Sequence, residues 1–320
     1  MILGCGESVI DMIPSINTEG FPVFLPVPGG SPYNTAIAVA RLGVPVSFMG
    51  RFSRDFFGQM LIRRLEENRV GTELIIRSDE HSSLAFVKIE KDREPEYLFY
   101  TQGTADRSFS TADIPHQFTT EPACIYFGSI ARTMEPAASA IEQFVQNQSA
   151  QPDGPVISMD PNIRPFMIAD RNEYVKRFER WVQAVHIVKI SEADIAFIYP
   201  ELNLSQAVEK LLQMGPLLAA VTLGPKGALA CVKTSSGSMA TVQAPAIPVT
   251  VVDTIGAGDT FHGSFLSWLH MKGKMSRQGI AGLETAELQE ALTFANKAAS
   301  LVCTRRGAEP PTMAEMLKAI

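Results

Sequence analysis

Short apolar runs alternate with longer amphipathic segments along most of this chain. Five of these runs have the length and composition of buried strands: 46–49, 124–127, 156–159, 186–189 and 219–223. Buried strands that alternate with helical segments are typical of βαβ units. Such units build a parallel sheet with helices on both faces. The sequence therefore predicts an α/β fold with a mostly parallel central sheet.

Charge and apolar patterning limit what such a fold can do. The chain carries 28 basic and 34 acidic residues, a net charge of −6, which disfavours a general nucleic-acid surface. No run of about 18 apolar residues predicts a membrane span, and the first residues do not resemble a signal peptide. The four cysteines are scattered and are expected to be buried thiols. We expect a cytoplasmic enzyme without a nucleic-acid or membrane partner.

One region interrupts the βαβ rhythm. Residues 84–89 and 96–101 have the pattern of two strands, and the charged segment 90–95 between them predicts a hairpin. Together with part of 12–27 they form a small predicted β-sheet. Because no linker or repeat divides the rest, we treat 1–320 as a single domain.

A glycine-rich turn near the C-terminal end carries the clearest chemical signal. The stretch 247–252 predicts a short strand, and Phe261, Phe265 and Leu269 recur as on one face of a helix that begins at Ala257. Gly256 and Gly258 let backbone amides approach an anion at the helix start. Asp259 then stands beside the bound group as a candidate base. The alternative is an acidic residue that only compensates the helix dipole.

A second glycine cluster lies far upstream, at 28–34. Gly29 and Gly30 precede a predicted helix in which Ser31 is the expected N-cap and Pro32 suits the first position. Asn34 is a poor helix former, and its amide is placed to reach a polar ligand over the glycines.

These two motifs, Gly-Gly-x-x-x-Asn at 29–34 and Asp-Thr-x-Gly-Ala-Gly-Asp at 253–259, resemble the signatures of the ribokinase-like sugar kinases. The resemblance extends over essentially the whole chain. It implies a three-layer α/β/α sandwich, with a small β-sheet lid from about 12–27 and 82–103 over the sugar. In this family the lid is often a dimerisation surface, so the resemblance also implies a homodimer.

The resemblance also implies how the nucleotide is bound, since the chain has no Walker-type loop. Arg164 follows the strand at 156–159 and is expected to grip a phosphate, the alternative being a surface ion pair with Asp160. By similarity, Lys189 is a phosphate ligand. Glu192 matches an acidic residue that helps hold Mg²⁺ through water.

Further positions take their roles from the resemblance alone. Thr222, Gly224 and Gly227 lie in a segment similar to the family's nucleotide-binding turn, although a simple β-turn explains the glycines nearly as well. Asn296 matches the position beside adenine. Four residues match the loops that enclose a monovalent cation, here K⁺: Asp253, Ile255, Arg305 and Gly307.

The sugar end is predicted from Asp11, whose carboxylate suits vicinal hydroxyl donors and whose alternative is an ordinary turn residue. Glu7 is given no role, and His262 is expected to pack beside Phe261. Residues 83–87 and 98–100 are most similar to the fructokinase branch of the family.

The resemblance thus implies transfer of the γ-phosphate of ATP to a primary hydroxyl of a small sugar. The expected sugar is D-fructose, and the expected product is fructose 6-phosphate. In that reaction Asp259 is the base, and the amides of Gly256, Ala257 and Gly258 stabilise the transferred group. Alternatives are a 2-keto-3-deoxygluconate kinase, another sugar or nucleoside kinase, and a non-catalytic sugar-sensing protein.

Overall fold

A computed structural model describes residues 1–88, 96–234 and 237–318. The turn predicted at 90–95 lies outside these residues. The described strands, in chain order, are β1 (Ile2–Cys5), β2 (Val9–Ile16), β3 (Pro22–Gly29), β4 (Val46–Ser53), β5 (Gly71–Ser78), β6 (Ser83–Lys88), β7 (Glu96–Tyr100), β8 (Cys124–Gly128), β9 (Val156–Asp160), β10 (Ile187–Ser191), β11 (Leu218–Thr222), β12 (Ala228–Lys233) and β13 (Met239–Ala244).

The described helices are α1 (Ser31–Arg41), α2 (Phe56–Glu67), α3 (Ala137–Ser149), α4 (Arg171–Gln183), α5 (Glu192–Ile198), α6 (Leu204–Met214), α7 (Ala257–Met271), α8 (Arg277–Ala281), α9 (Thr285–Val302) and α10 (Met313–Lys318). Within the described residues, no helix is both long and apolar enough to cross a bilayer.

Nine strands form a large sheet in the order β13-β12-β11-β10-β9-β8-β1-β4-β5. All neighbours in this sheet run parallel except at one edge, where β12 is antiparallel to both β11 and β13. The strands predicted from the apolar runs are therefore confirmed, as is the mostly parallel sheet. From β1 the chain builds outward to β4 and β5 on one side and to β8–β11 on the other. The strand order thus reverses between β1 and β8, where open α/β sheets bind ligands.

Helices cover the large sheet on both faces. One apolar core lies under α1, α2, α7 and α9, and a second core lies under α3, α4, α5 and α6 on the opposite face. The predicted three-layer sandwich is confirmed. The predicted start of α7 at Ala257 is also confirmed, and Phe261, Phe265 and Leu269 are buried. Every residue of α7 from Asp259 to Leu269 is buried, because α7 is packed between α1 and α9.

Two local predictions are wrong. Residues 247–252 form no strand, and Val251 and Val252 are more than half exposed. Pro245 and Pro248 lack the amide hydrogen that a strand donates, which explains the loss of pairing here. The N-cap of α1 is Gly30 and not Ser31. Gly30 has a φ of 112°, and a Cβ on it would lie 2.9 Å from the Glu7 carbonyl oxygen, so only glycine fits.

A separate small sheet has the order β3-β2-β6-β7. It contains the strands predicted around 90–95 and a hairpin of β2 and β3 that extends from Val9 to Gly29. Because side chains alternate across a strand, Val9, Asp11 and Ile13 share one face of β2. These three residues line the pocket described below.

Candidate active site

A pocket of about 300 Å³ opens where the strand order reverses. This volume is at the lower end of the range for small-molecule sites. The loops after β1, β8 and β9 form its base, the starts of α1 and α7 form one wall, and the small sheet covers it. Eight of the residues singled out from the sequence line this pocket: Asp11, Gly30, Asn34, Arg164, Ile255, Gly256, Gly258 and Asp259.

Asp259 lies in the first turn of α7 and is 7% exposed. Ser31 Oγ donates a hydrogen bond of 2.6 Å to its Oδ1, and Asn34 Nδ2 donates one of 3.0 Å to its Oδ2. Burial raises the pKa of Asp259, and these two hydrogen bonds act in the opposite direction. A carboxylate has about four acceptor positions, so Asp259 can still accept a proton from a ligand hydroxyl.

The glycine turn before Asp259 is shaped by close packing. Gly256 has a φ of 76°, and a Cβ on it would lie 2.6 Å from the Ala308 Cβ. The Ala257 amide donates to the Thr254 carbonyl at 3.2 Å, so the turn itself uses that amide. Amides in the first turn of a helix have no partner within the helix. The amides of Gly258 and Asp259 are therefore the donors that α7 presents to an anion.

A buried ion pair stands next to this turn. Lys189 Nζ lies 2.7 Å from Asp160 Oδ2, and both side chains are about 5% exposed or less. A Cβ on Gly258 would lie 3.1 Å from Lys189 Nζ, so the ammonium adjoins the helix start. The alternative of a surface pair between Asp160 and Arg164 is wrong, because Asp160 is buried with Lys189.

On the side covered by the small sheet, Asp11 projects from β2 into the pocket, and a Cβ on Gly29 would clash with its carboxylate. Burial raises the pKa of Asp11 to about 7. The charge of Arg164 lowers this pKa and that of Asp259 raises it, so both residues lie within electrostatic reach of Asp11. Arg164 donates to the Asn162 side chain at 2.7 Å.

Two pocket residues have unusual backbone conformations. Ser129, directly after β8, has a φ of 55°, and Asn162, after β9, has a φ of 38°. Left-handed conformations are uncommon outside glycine, and serine adopts them at a cost in energy. Both residues lie where the strands end at the pocket, which is the expected place for a constrained site.

Glu7 is a pocket residue to which the sequence analysis gave no role. It is 1% exposed, and its carboxylate accepts from the Ser31 amide at 3.3 Å and from the Ala131 amide at 3.1 Å. Glu7 thus joins the start of α1 to the loop after β8. Burial raises its pKa to about 7. A charged residue two positions after the apolar strand β1 was the signal available in the sequence.

His262 is buried in the core, where its described contacts are with Tyr126 and Ser158. It is 1% exposed, and its Nε2 lies 2.8 Å from Ser158 Oγ. Its ring packs edge-on against Tyr126. Burial, with the charge of Lys189, lowers its pKa to about 3, so the ring is neutral at neutral pH.

Arg164 lines the pocket, whereas the other residues expected at the nucleotide lie outside it. Most of these are at or just after the ends of the neighbouring strands. Thr222 ends β11, and Gly224 and Gly227 bound the turn before β12. The backbone of Ala244 and Pro245 leaves no room for a side chain at Gly227. A Cβ on Gly224 meets nothing within 4 Å, so this part of the turn is open to a ligand.

Glu192 begins α5 beside this turn. Its carboxylate lies 3.8 Å from Lys226 Nζ, and the two side chains are 53% and 72% exposed. Among the described residues, no cluster of three or more His, Cys, Asp or Glu side chains could hold a metal.

Asn296 on α9 is buried and not exposed. Its Nδ2 donates to the carbonyls of Ala244 and Pro245 at 2.9 and 3.1 Å. The same two residues contact Gly227, so Asn296 helps to fix the backbone beside the predicted nucleotide turn.

The two loops expected around a monovalent cation are adjacent. Asp253 accepts from the Ile255 amide at 3.0 Å and from the Gly307 amide at 2.8 Å, which links the loops. Arg305 turns its guanidinium away to Glu315, 2.6 Å distant.

Comparisons with known proteins agree with this geometry. Residues 22–315 match the family described as pfkB family carbohydrate kinase. The chain is 34% identical over 289 residues to a fructokinase from Rhizobium leguminosarum bv. trifolii, covering 90% of this chain and 86% of the relative.

Two solved structures are similar over 99% of this chain and 97% of theirs, both at 26% identity. One is a fructokinase with bound ATP from Xylella fastidiosa, with a TM-score of 0.89. The other is a fructokinase from Vibrio cholerae O395 with bound fructose, ADP and a calcium ion, with a TM-score of 0.84. The chain belongs to the pfkB family of carbohydrate kinases, which makes it a phosphotransferase with an alcohol group as acceptor.

Proposed function

We propose that this protein transfers the γ-phosphate of ATP to the 6-hydroxyl of D-fructose. The observation that carries the proposal is the Asp259 carboxylate, buried in a sugar-sized pocket directly beside the amides of a helix start. A base and an anion-binding turn at one point are what phosphoryl transfer to a hydroxyl requires. The similarity to fructokinases supports fructose as the sugar.

In this proposal the sugar is held by side chains from three elements. Asp11 accepts hydrogen bonds from sugar hydroxyls, and Arg164 adds donors from the loop after β9. The Oδ1 atom of Asn34 is buried without a hydrogen-bond partner in the structure and lies in a pocket-lining residue. A sugar hydroxyl would satisfy it. Gly29 and Gly30 let the backbone approach these groups closely.

The chemical step is an in-line displacement. Asp259 takes the proton of the 6-hydroxyl, the hydroxyl oxygen forms a bond to the γ-phosphorus, and the bond to the β,γ-bridging oxygen breaks to release ADP. The amides of Gly258 and Asp259 and the Lys189 ammonium stabilise the charge on the transferred group. Gly256 and Ala257 shape the turn that points those amides at the phosphate.

We infer that the nucleotide lies along the ends of β10 and β11, over the open backbone of Gly224 and beside Thr222. Gly227 and Asn296 fix the position of the backbone at Ala244 and Pro245, which we place near the adenine. Bound Mg²⁺ would supply positive charge that stabilises the phosphates of the nucleotide during transfer. Glu192, being exposed near this turn, suits an indirect hold through water, since Mg²⁺ usually keeps several waters. We also propose K⁺ between the loops linked by Asp253, next to Ile255, Arg305 and Gly307.

We further propose that the small sheet is a lid that excludes water during transfer and that it pairs two copies of the chain. Its outer face carries large apolar side chains that are about half exposed or more, among them Phe24, Leu98 and Tyr100. Phe24 and Tyr100 each pack edge-on against Phe86, so the patch is continuous. A cytoplasmic location and a single domain over 1–320 stay predictions.

One observation favours a second substrate class. Arg164 lies in the pocket close enough to Asp11 to affect its pKa, so a guanidinium is available to a substrate carboxylate. This suits 2-keto-3-deoxygluconate. Fructose remains the better fit, because Asp11, Glu7 and Asp259 put three carboxyl groups around the pocket and would repel an anionic sugar.

A coupled assay of ADP release tests the proposal. The purified protein is given ATP and Mg²⁺ with fructose, 2-keto-3-deoxygluconate, ribose, adenosine or fructose 6-phosphate. We expect fructose to give the highest kcat/KM by at least about tenfold. ADP release by the Asp259→Asn variant under the same conditions is the control for release that does not depend on the proposed base. Turnover highest with 2-keto-3-deoxygluconate, and lost selectively in Arg164→Ala, would contradict the fructose assignment. No sugar-dependent ADP release would contradict the kinase proposal.

A further inference from the structure

The Ser31 hydroxyl is buried against the candidate base. Ser31 is 8% exposed, and its Oγ lies 2.6 Å from Asp259 Oδ1. The two residues are 228 positions apart in sequence, so only the packing of α1 on α7 brings them together. A hydroxyl that donates to a carboxylate at this distance forms a charge-assisted hydrogen bond, which is shorter and stronger than a neutral one.

The position of Ser31 is itself fixed. Its amide donates to Glu7 Oε1 at 3.3 Å, and Glu7 is held in turn by the Ala131 amide. The preceding residue, Gly30, has a backbone that no other residue could adopt without strain. The Ser31 side chain is therefore not needed as an N-cap, and the structure directs it at Asp259 instead.

We propose that Ser31 is a positioning residue for the transfer reaction: its hydroxyl fixes the orientation of the Asp259 carboxylate and keeps it ionised to accept the sugar's proton. The inference rests on the function proposed above. Ser31 and Asn34 each occupy one oxygen of Asp259, so the carboxylate cannot rotate without breaking both bonds. Asp259, Ser31 and Asn34 all line the pocket.

Other groups also act on the ionisation of Asp259. The nearby ionisable side chains come from four strands: Asp11 on β2, Tyr126 on β8, Asp160 on β9 and Lys189 on β10. On α1, Asn34 donates the second hydrogen bond, and on α7, His262 is neutral. Substitution of Ser31 leaves all of these groups in place. A change in the acid limb of activity in such a variant therefore reports on the Ser31 hydroxyl.

The test compares Ser31→Ala with Thr35→Val. Thr35 is the matched control, because its buried hydroxyl also contacts Asp259, but at the backbone oxygen and at 3.4 Å. We expect the acid limb of the kcat profile to move up by about one pH unit in Ser31→Ala, as loss of one charge-assisted hydrogen bond implies. At pH values below the acid limb, kcat of Ser31→Ala should be about tenfold lower than that of the wild type, and its KM for ATP should be unchanged within about threefold. Thr35→Val should keep the wild-type limb.

Two further measurements keep the inference falsifiable. Ser31→Cys preserves the shape of the side chain but replaces the hydroxyl with a weak donor. The acid limb of its kcat profile must therefore also lie at a higher pH than that of the wild type. Carbon-13 NMR titration of the aspartate carboxyls, with Asp259 assigned from Asp259→Asn, reads the same shift without any turnover. An unmoved Asp259 titration in folded Ser31→Ala or Ser31→Cys overturns this inference, as does an equal shift in Thr35→Val. Absence of sugar phosphorylation by the wild type would instead overturn the proposed function.

Discussion

The two ends of the candidate site are built differently. At the proposed sugar end, four residues are buried and joined by hydrogen bonds between α1, α7 and the loop after β1: Asp259, Ser31, Asn34 and Glu7. At the proposed nucleotide end, Glu192 and Lys226 are more than half exposed, and their charged groups are 3.8 Å apart, which is long for an ion pair. Buried, bonded groups hold a fixed geometry, whereas exposed pairs are screened by water. We therefore expect the chemical step to depend on the first region, and the second region to affect mainly the affinity for the nucleotide.

The largest expected effect is at the base. Asp259→Asn keeps the shape of the side chain but removes its ability to take a proton. We expect kcat to fall by about 10² to 10⁴ and the Kd for ATP to change by less than about threefold. Steady-state kinetics and calorimetric nucleotide titration measure the two quantities. Near-normal turnover of the folded variant would remove Asp259 from the mechanism.

The next effect is at the anion-binding turn. Gly258→Val would place a branched side chain against Lys189 Nζ, which lies 3.1 Å from the position of a Cβ. We expect kcat/KM to fall by about 10² or more, because the added group blocks the amides that face the phosphate. Circular dichroism should show a retained fold. Global unfolding of the variant would make the turn structural, and full activity would exclude it from phosphate binding.

Asp11 should give a smaller effect that depends on pH. Its pKa is raised to about 7, so the carboxylate that we propose accepts hydrogen bonds from sugar hydroxyls is protonated below that pH. KM for fructose should rise as the pH falls through about 7. Asp11→Asn should raise KM about tenfold at pH 8 and abolish this dependence. A wild-type KM that is constant from pH 5 to 8 would contradict the assignment.

The same raised pKa predicts a stability effect with a definite sign. Ionisation of Asp11 is less favourable in the folded chain than in the unfolded chain, whose carboxyl titrates near 3.8. Its contribution to stability is complete below that pH and is lost as the pH rises through about 7. Asp11→Asn should therefore melt at a higher temperature than the wild type at pH 8. A lower Tm at that pH, measured by calorimetry, would contradict the sign.

The smallest expected effect is at the exposed end. Glu192→Gln should raise KM for Mg²⁺-ATP a few-fold, through a weaker hold on the metal's water, and leave KM for fructose unchanged. Lys226→Ala is the matched control, since it removes the other member of the exposed pair. Both variants should keep the wild-type Tm, as surface substitutions usually do. If Glu192→Gln lowered kcat as much as Asp259→Asn does, the proposed difference between the two ends of the site would be wrong.

The sequence predicted best what is local to a motif. Asp259 and Asn34 were identified because each follows a glycine cluster at a helix start, and the structure places both in the pocket. The contacts of Ser31 with Asp259 and of Lys189 with Asp160 were not predicted. These pairs join elements distant in sequence, and no local spacing encodes them. Ser31 was expected to cap its own helix because serine favours that position. The tertiary contact with α7 uses its hydroxyl instead.

The central claim is that the buried carboxylate end phosphorylates fructose, and a competition experiment tests it most directly. Equimolar fructose and 2-keto-3-deoxygluconate are mixed with limiting ATP and Mg²⁺, and the products are identified by ³¹P and ¹³C NMR, with Asp259→Asn run in parallel. We predict fructose 6-phosphate as the dominant product of the wild type and only traces from the variant. Dominance of phosphorylated 2-keto-3-deoxygluconate, or equal product from Asp259→Asn, would contradict the account.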